Sequence, residues 1–296
     1  MDTTLRTVNV MQVARKVLGL FKLRIGVVIM VTALAGFAVT PDSGPGGIPL
    51  AVLALAVLIS SASAGAFNQY IEYDTDRLML RTRGRAFATG ELRHTRGWLA
   101  LIGLLLAGSV AAAWYATNPL AALYVFLGAF FYAVVYTVWL KRRTWLNIVV
   151  GGLAGSFSVL AGAAAANPQL GAVPLLLALL LFLWTPPHFW SLAIANSSDY
   201  VTAGVPMLPV VVGNARAAQI VFASALALVG VSLLPVFFGA GLIYFAGAVG
   251  GGAYFIRKAW QLARAPGRET AMRSFHASLA QLSLLLVAAM LDALPI

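Results

Sequence analysis

Apolar residues in this chain come in runs of about 20, separated by short polar breaks, and do not alternate as strands would. Nine such runs can be read, at roughly 23–40, 48–71, 97–116, 119–140, 145–166, 170–195, 216–236, 239–257 and 273–292. A helix of about 20 apolar residues crosses a bilayer core with all its backbone groups bonded internally. The pattern therefore predicts an all-α integral membrane protein of nine transmembrane helices bundled around a central cavity. The breaks carry turn chemistry: PDSGPGG at 41–47, NP at 118–119, NP at 167–168 and APG at 265–267. The weakest boundary falls between the seventh and eighth runs, near Pro235 and Gly239. Residues 1–22 are polar to amphipathic and lack an apolar run followed by a small-residue cleavage site. They read as a cytoplasmic interfacial segment leading into one domain over 23–296.

Composition agrees with this pattern. Of 296 residues, 61% are hydrophobic and 10% charged, against roughly a quarter charged in soluble domains. There are no cysteines, which excludes disulfides, thiolate metal sites and thiol nucleophiles. The net charge of +11 invites a nucleic-acid reading, but in a membrane chain it marks loops that face the cytoplasm and anionic lipid. Nine spans place all 20 Lys and Arg residues on one side, in the N-terminal segment, the 72–96 loop, Lys141 to Arg143, Arg216 and the 257–273 connection. The N-terminus is therefore expected in the cytoplasm and the C-terminus outside. No soluble domain fits into the connections, the longest being 72–96 and 196–215.

Those two connections hold the chemistry. Asn68, Glu72 and Asp76 in NQYIEYDTD are spaced i, i+4 and share one helix face, while Asp74 points elsewhere unless the helix unwinds. Three carboxylates in five residues repel one another near a membrane and make sense if a divalent cation neutralises them. Oxygen ligands together with substrate phosphate suit Mg²⁺. A solvated acidic turn paired with nearby arginines is the other reading of the same residues. Arg77, Arg81, Arg83 and Arg85 follow at once, and Lys141, Arg142 and Arg143 end the fourth run. Each basic cluster alone is ordinary lipid-facing charge. Acids for a metal and bases for phosphate on one face together describe a diphosphate site.

A third segment contains Trp184, Pro186, Pro187, His188 and Phe189, then Asp199 and GVPMLP at 204–209. Two prolines inside a span are expected to break the helix where it lines a cavity. His188 is the first candidate for ligand contact or proton handling among His94, His188 and His276, although a lone histidine is more often a structural partner. Asp199 is the natural partner for a second metal ion. Tyr132, Tyr136, Trp184 and Phe189 are either interfacial aromatics or cavity rings that stabilise a cation.

These segments together resemble the UbiA superfamily of intramembrane prenyltransferases, and within it the heme O synthase branch. The aspartate-rich motif stands as NQYIEYDTD at 68–76 and the RT-x-x-R motif as Arg81-Thr82-Arg83-Gly84-Arg85. The branch is suggested by YTVWLKR at 136–142, TWLNIVVGG at 144–152, LFLWTPPHFWSLAI at 181–194 and DYVTAGVPMLPVVVG at 199–213. Glu72 stands where Asp is commoner, Ala86 follows the last arginine of RT-x-x-R, and Ser197 and Ser198 precede Asp199 where relatives often carry charge.

The resemblance implies transfer of the farnesyl group of farnesyl diphosphate to a vinyl group of heme b, with water addition, giving heme O and diphosphate. It implies Mg²⁺ held through Asn68, Glu72, Asp74, Asp76 and Asp199, with Arg81, Arg85, Lys141 and Arg142 on the diphosphate. His188, Tyr136, Trp184, Phe189 and Asn147 would line the heme and prenyl pocket. It further implies the bacterial cytoplasmic membrane, a site facing the cytoplasm, contact with membrane lipid, no nucleic acid, and heme A synthase as the enzyme next in line. An aromatic or quinone-precursor acceptor is the nearest rival. A transporter or a non-enzymatic heme-assembly subunit are rivals from other classes.

Overall fold

Helices occupy all nine apolar stretches, and their ends fall where proline, glycine and asparagine interrupt the runs. The computed structural model describes residues 16–41, 44 and 46–294; the amphipathic segment expected over 1–22 lies outside them up to residue 15. In chain order the elements are α1 (Leu23–Ala38), α2 (Ile48–Ile71), the short α3 (Tyr73–Leu78), α4 (Arg96–Ala116) and α5 (Pro119–Phe130). The last continues as a π-helix over Phe131–Leu140. Then follow α6 (Asn147–Gly151), α7 (Leu153–Ala166), α8 (Ala172–Ala195), the short α9 (Ser197–Thr202) and α10 (Leu208–Val212), and α11 (Asn214–Ser232). A 3₁₀ turn over Leu234–Phe238 leads to α12 (Leu242–Arg264) and α13 (Arg268–Asp292). Seven helical stretches among the described residues are long and apolar enough to cross a membrane; α1 is shorter, and α12 is not among the seven.

Local chemistry explains the ends. Asn118 caps α5 by accepting from Ala121 N at 2.9 Å, with Pro119 at the first helical position, where its missing N–H costs nothing. The Asn118 amide also donates to Ala164 O at 2.7 Å, tying the α4–α5 corner to α7. The weak boundary near Pro235 resolves as the 3₁₀ turn closed by Gly239 at φ 102°, a left-handed conformation that favours glycine. Asp292, at the end of α13, accepts from Gly241 N at 2.5 Å, Ile243 N at 3.2 Å and Tyr244 N at 3.3 Å. It thereby satisfies the orphan donors at the start of α12.

Small residues bring the helices together, as expected where lipid removes most of the hydrophobic drive for association. At the α1–α7 crossing, a Cβ on Gly162 would lie 1.7 Å from Ala33 O and one on Gly36 would lie 2.1 Å from Val159 O. Ala161 and Ala163 to Ala166 are buried along the same helix.

Three features position the site. The helix of the second run stops at Ile71, and Glu72 (φ −96°, ψ 6°) serves as both the C-cap of α2 and the N-cap of α3. The fourth run ends in a π-helix, so Lys141 N bonds to Tyr136 O five residues back at 2.9 Å. The expected break at Pro186 and Pro187 does not occur, and α8 runs through both. Proline removes a donor without ending a helix that tertiary packing holds at that point, and both rings are buried.

Candidate active site

A cavity of 1010 Å³ opens among α1, α2, α5, α7, α8 and α13, at the upper end of the sizes that hold small-molecule ligands. Its wall carries both charged and apolar side chains. Asn68, Glu72, Asp76, Arg81, Arg85 and Lys141 all line it, as do Tyr136, Trp184, His188 and Phe189. The i, i+4 spacing survives the helix break, because Asn68 donates to Glu72 Oε2 at 2.7 Å and Asp76 N bonds to Glu72 O at 2.8 Å.

The acids are withdrawn from water and held by bases. Glu72 and Asp76 are 1% and 3% exposed. Lys141 Nζ donates to Glu72 Oε2 at 2.6 Å and lies 2.5 Å from Oε1. Arg85 Nη1 donates to both Asp76 oxygens, at 2.9 and 2.8 Å. Buried charges persist only when paired in this way. The π-helix decides the first pair. Its wider turn sets Tyr132, Tyr136 and Lys141 along one wall, and such turns recur at functional sites. The Lys141 ammonium sits 5.7 Å from the Tyr136 ring centroid.

Sequence reading placed Lys22 only among the cytoplasmic N-terminal bases, which could meet heme propionates or lipid phosphate. Its Nζ donates to Asn68 Oδ1 at 2.8 Å and to Tyr132 Oη at 3.3 Å. Its backbone is left-handed (φ 47°, ψ 42°), unusual for a residue with a side chain. Withdrawal from water pushes its ammonium down to about 7, and the Arg85 and Lys141 charges push the same way. Positive φ leaves no mark in sequence, so only its place just ahead of the first run hinted at a role. Arg24 also lines the cavity.

Four expected site residues lie elsewhere. Asp74 is exposed, 3.8 Å from Arg77, because the helix restarts after Glu72 instead of unwinding. Arg142 is exposed and donates to Thr75 Oγ1 in a short contact. Asn147 is buried outside the cavity wall, where its amide donates to Thr144 O at 2.6 Å and Lys141 O at 3.3 Å and braces the turn after the π-helix. Asp199 accepts from Arg81 N at 3.2 Å, and Arg81 reaches Tyr200 Oη at 3.4 Å. Asp199 therefore holds the Arg81 backbone and does not line the cavity beside Glu72 and Asp76.

Among the described residues, no group of three or more His, Cys, Asp or Glu side chains is placed to hold a metal ion. Asn68, Glu72 and Asp76 nevertheless form an oxygen-only donor set, with Glu72 Oε1 buried against the Lys141 ammonium. That set fits a hard divalent ion whose remaining ligands are phosphate oxygens and water.

Known proteins resemble this chain along most of its length. The model of the UbiA prenyltransferase family matches residues 29–285. Protoheme IX farnesyltransferase 2 of Paramagnetospirillum magneticum is 56% identical over 275 residues, covering 93% of this chain and 95% of that one. Protoheme IX farnesyltransferase 1 of the same organism is 46% identical, covering 94% and 98%. The solved structure of a UbiA homolog from Archaeoglobus fulgidus bound to GPP and Mg²⁺ superposes with a TM-score of 0.67 at 19% identity, covering 91% of this chain and 99% of that one. That structure shares the fold, while the family match and the close relatives extend along nearly the whole length, and on these grounds the chain is an integral membrane member of the UbiA prenyltransferase family.

Proposed function

We propose that this protein transfers the farnesyl group of farnesyl diphosphate to a vinyl group of heme b, with addition of water, to give heme O and diphosphate. The observation that carries this reading is one cavity joining the paired charges around Glu72 and Asp76 to the aromatic wall around His188. The names of relatives up to 56% identical support heme as the acceptor.

The chemistry begins at the allylic C–O bond. As it cleaves, negative charge builds on the diphosphate, and Arg81, Arg85 and Lys141 stand in the wall to stabilise it, with Lys22 beside them. Asn68, Glu72 and Asp76 would hold Mg²⁺, which when bound supplies Lewis-acid stabilisation of the leaving diphosphate. Neither acid is then left bare when its base turns to phosphate. The apolar stretch of the wall, including Val57, Val125 and Leu282, keeps water away from the farnesyl cation until the vinyl carbon attacks it. Water then adds to the new cation and releases a proton. Tyr132 and Tyr136, stacked at 5.6 Å between centroids, offer π-faces to a passing cation.

In this reading nine helices span the bacterial cytoplasmic membrane, with α1 and α12 crossing alongside the other seven stretches. The polar end of the cavity faces the cytoplasm, and heme A synthase takes the product onward.

The test is incubation of purified protein with heme b, farnesyl diphosphate and Mg²⁺, followed by mass analysis of the porphyrin. A farnesylated, hydrated product is expected, and it should vanish with EDTA. Prenylated 4-hydroxybenzoate in place of heme O would move the protein to the aromatic-acceptor reading. Product undiminished by EDTA would remove the metal from the scheme.

A further inference from the structure

We propose that His188 is the axial ligand to the iron of the heme acceptor, and that Ser278 holds its ring in the tautomer this requires. The proposal rests on the heme reading above. Of the three histidines, His94 and His276 are exposed and do not line the cavity, whereas His188 does. The His188 ring is clamped between Trp184 (4.0 Å between centroids, 19°) and Phe275 (4.3 Å, 25°), with the Phe189 ring nearly perpendicular at 4.8 Å. It is 5% exposed, so the clamp leaves it little freedom to turn.

Ligation through Nε2 requires the ring proton on Nδ1, and the contacts of Ser278 accommodate it. Ser278 Oγ has one hydrogen, which it donates to Phe275 O at 2.7 Å. With that hydrogen on Phe275 O, Ser278 Oγ is free to accept from His188 Nδ1 across the 2.7 Å contact, the direction the proposed ligation requires. In that tautomer Nδ1 carries the proton, and Nε2 keeps its lone pair with no hydrogen-bond partner among the described residues. Metal-bound histidines show this arrangement, with the second ring nitrogen donating to a fixed acceptor. A proton-carrying role for the ring fits less well. Its Nδ1 partner is a neutral hydroxyl, and among the described residues no carboxylate is in hydrogen-bond contact with it to balance an imidazolium. The Ser278 carbonyl also accepts from Trp184 Nε1 at 2.8 Å, so one residue fixes both the ring and its stacking partner. Iron bound at Nε2 would put the porphyrin within the same cavity as the diphosphate-facing charges, while coordination forms one Fe–N bond and changes no oxidation state.

The experiment titrates ferric heme b into purified protein in detergent and reads electronic absorption and electron paramagnetic resonance. Wild type should show imidazole ligation. His188→Ala should lose that signature and regain it with added imidazole, and His276→Ala should match wild type. Ser278→Ala keeps the carbonyl that holds Trp184 and removes only the hydroxyl; it should weaken ferric heme binding at least about tenfold while leaving affinity for metal-free protoporphyrin IX unchanged. Equal binding of protoporphyrin IX by wild type and His188→Ala shows that the cavity is intact. An unchanged spectrum in His188→Ala overturns the ligand, and if heme O still forms the reaction stands without it. Lost ligation supports the ligand even where no heme O forms, and in that case the reaction alone fails. If His188→Ala does not fold, Ser278→Ala decides, and unchanged ferric heme affinity there overturns the proposal.

Discussion

Glu72 and Lys141 stand 69 positions apart and meet where neither has much water. Removing one partner of such a pair leaves an uncompensated buried charge, at a cost of roughly 3–5 kcal/mol. Glu72→Gln is therefore expected to lower the unfolding temperature in detergent, and adding Lys141→Met should restore most of the loss. Farnesyl transfer should not return in the double variant, staying at least about 100-fold down because a stabiliser of leaving-group charge is gone. A double variant as unstable as the single one would mean that the two charges do not balance each other. Lys22 yields a pH prediction. Its pKa is lowered to about 7 from the ordinary 10.5, so between these values the unfolded chain holds more protons at this position than the folded one. Stability from this group then rises with pH across that window and is lost as pH falls towards 7. Lys22→Met should flatten that part of the stability profile, measured by thermal unfolding from pH 7 to 10.5. An unaltered slope would show that the ammonium is better solvated than its surroundings indicate.

At the scale of elements, the π-helix and the α1–α7 crossing carry the argument. Deleting one residue within Phe131–Leu140, such as Val134, should return the segment to α-helical register and swing Lys141 away from the cavity. Binding of farnesyl diphosphate, followed by calorimetry, is expected to weaken by tenfold or more, while circular dichroism stays helical. Retained affinity would mean that Lys141 reaches the site from either register. At the crossing, Gly162→Val forces side-chain atoms into the Ala33 carbonyl, and overpacking of this kind costs about 1–3 kcal/mol or more. Gly103→Val, on α4 where a Cβ meets nothing within 4 Å, should change the unfolding temperature little. Equal effects at the two positions would argue against a tight crossing. The helices themselves were legible in the runs of apolar residues. The π register was not, since FYAVVYTVWL is apolar enough to suit either period and the choice depends on what surrounds it. The course of α8 through two prolines was likewise set by packing.

Across the whole molecule, the chain's lack of cysteine makes its orientation open to direct measurement. With nine spans, single cysteines at Arg93 and at Asn167 should react with a membrane-impermeant maleimide from opposite sides, Arg93 from the cytoplasm and Asn167 from outside. Labelling of both from the same side would break the alternation that sorts all Lys and Arg onto one face. Much of the polar end of the site was legible too, because Asn68, Glu72, Asp76, Arg81 and Arg85 sit close together in sequence and are polar or charged groups that a membrane chain rarely spares. Asp292, which closes the start of α12, was not legible in the sequence. Its partners are backbone donors, which no side-chain pattern announces.

The order of apolar runs, their breaks and the confinement of basic residues to alternate connections follow from the chain alone, because transfer of side chains between water and hydrocarbon depends on composition and length. Which charges pair, which acids face the cavity and which turn to solvent, and which nitrogen of His188 is left open were decided by the tertiary structure. Those outcomes depend on distances of a few ångströms between residues up to 118 positions apart, and interactions that short-ranged are defined only once the helices have packed.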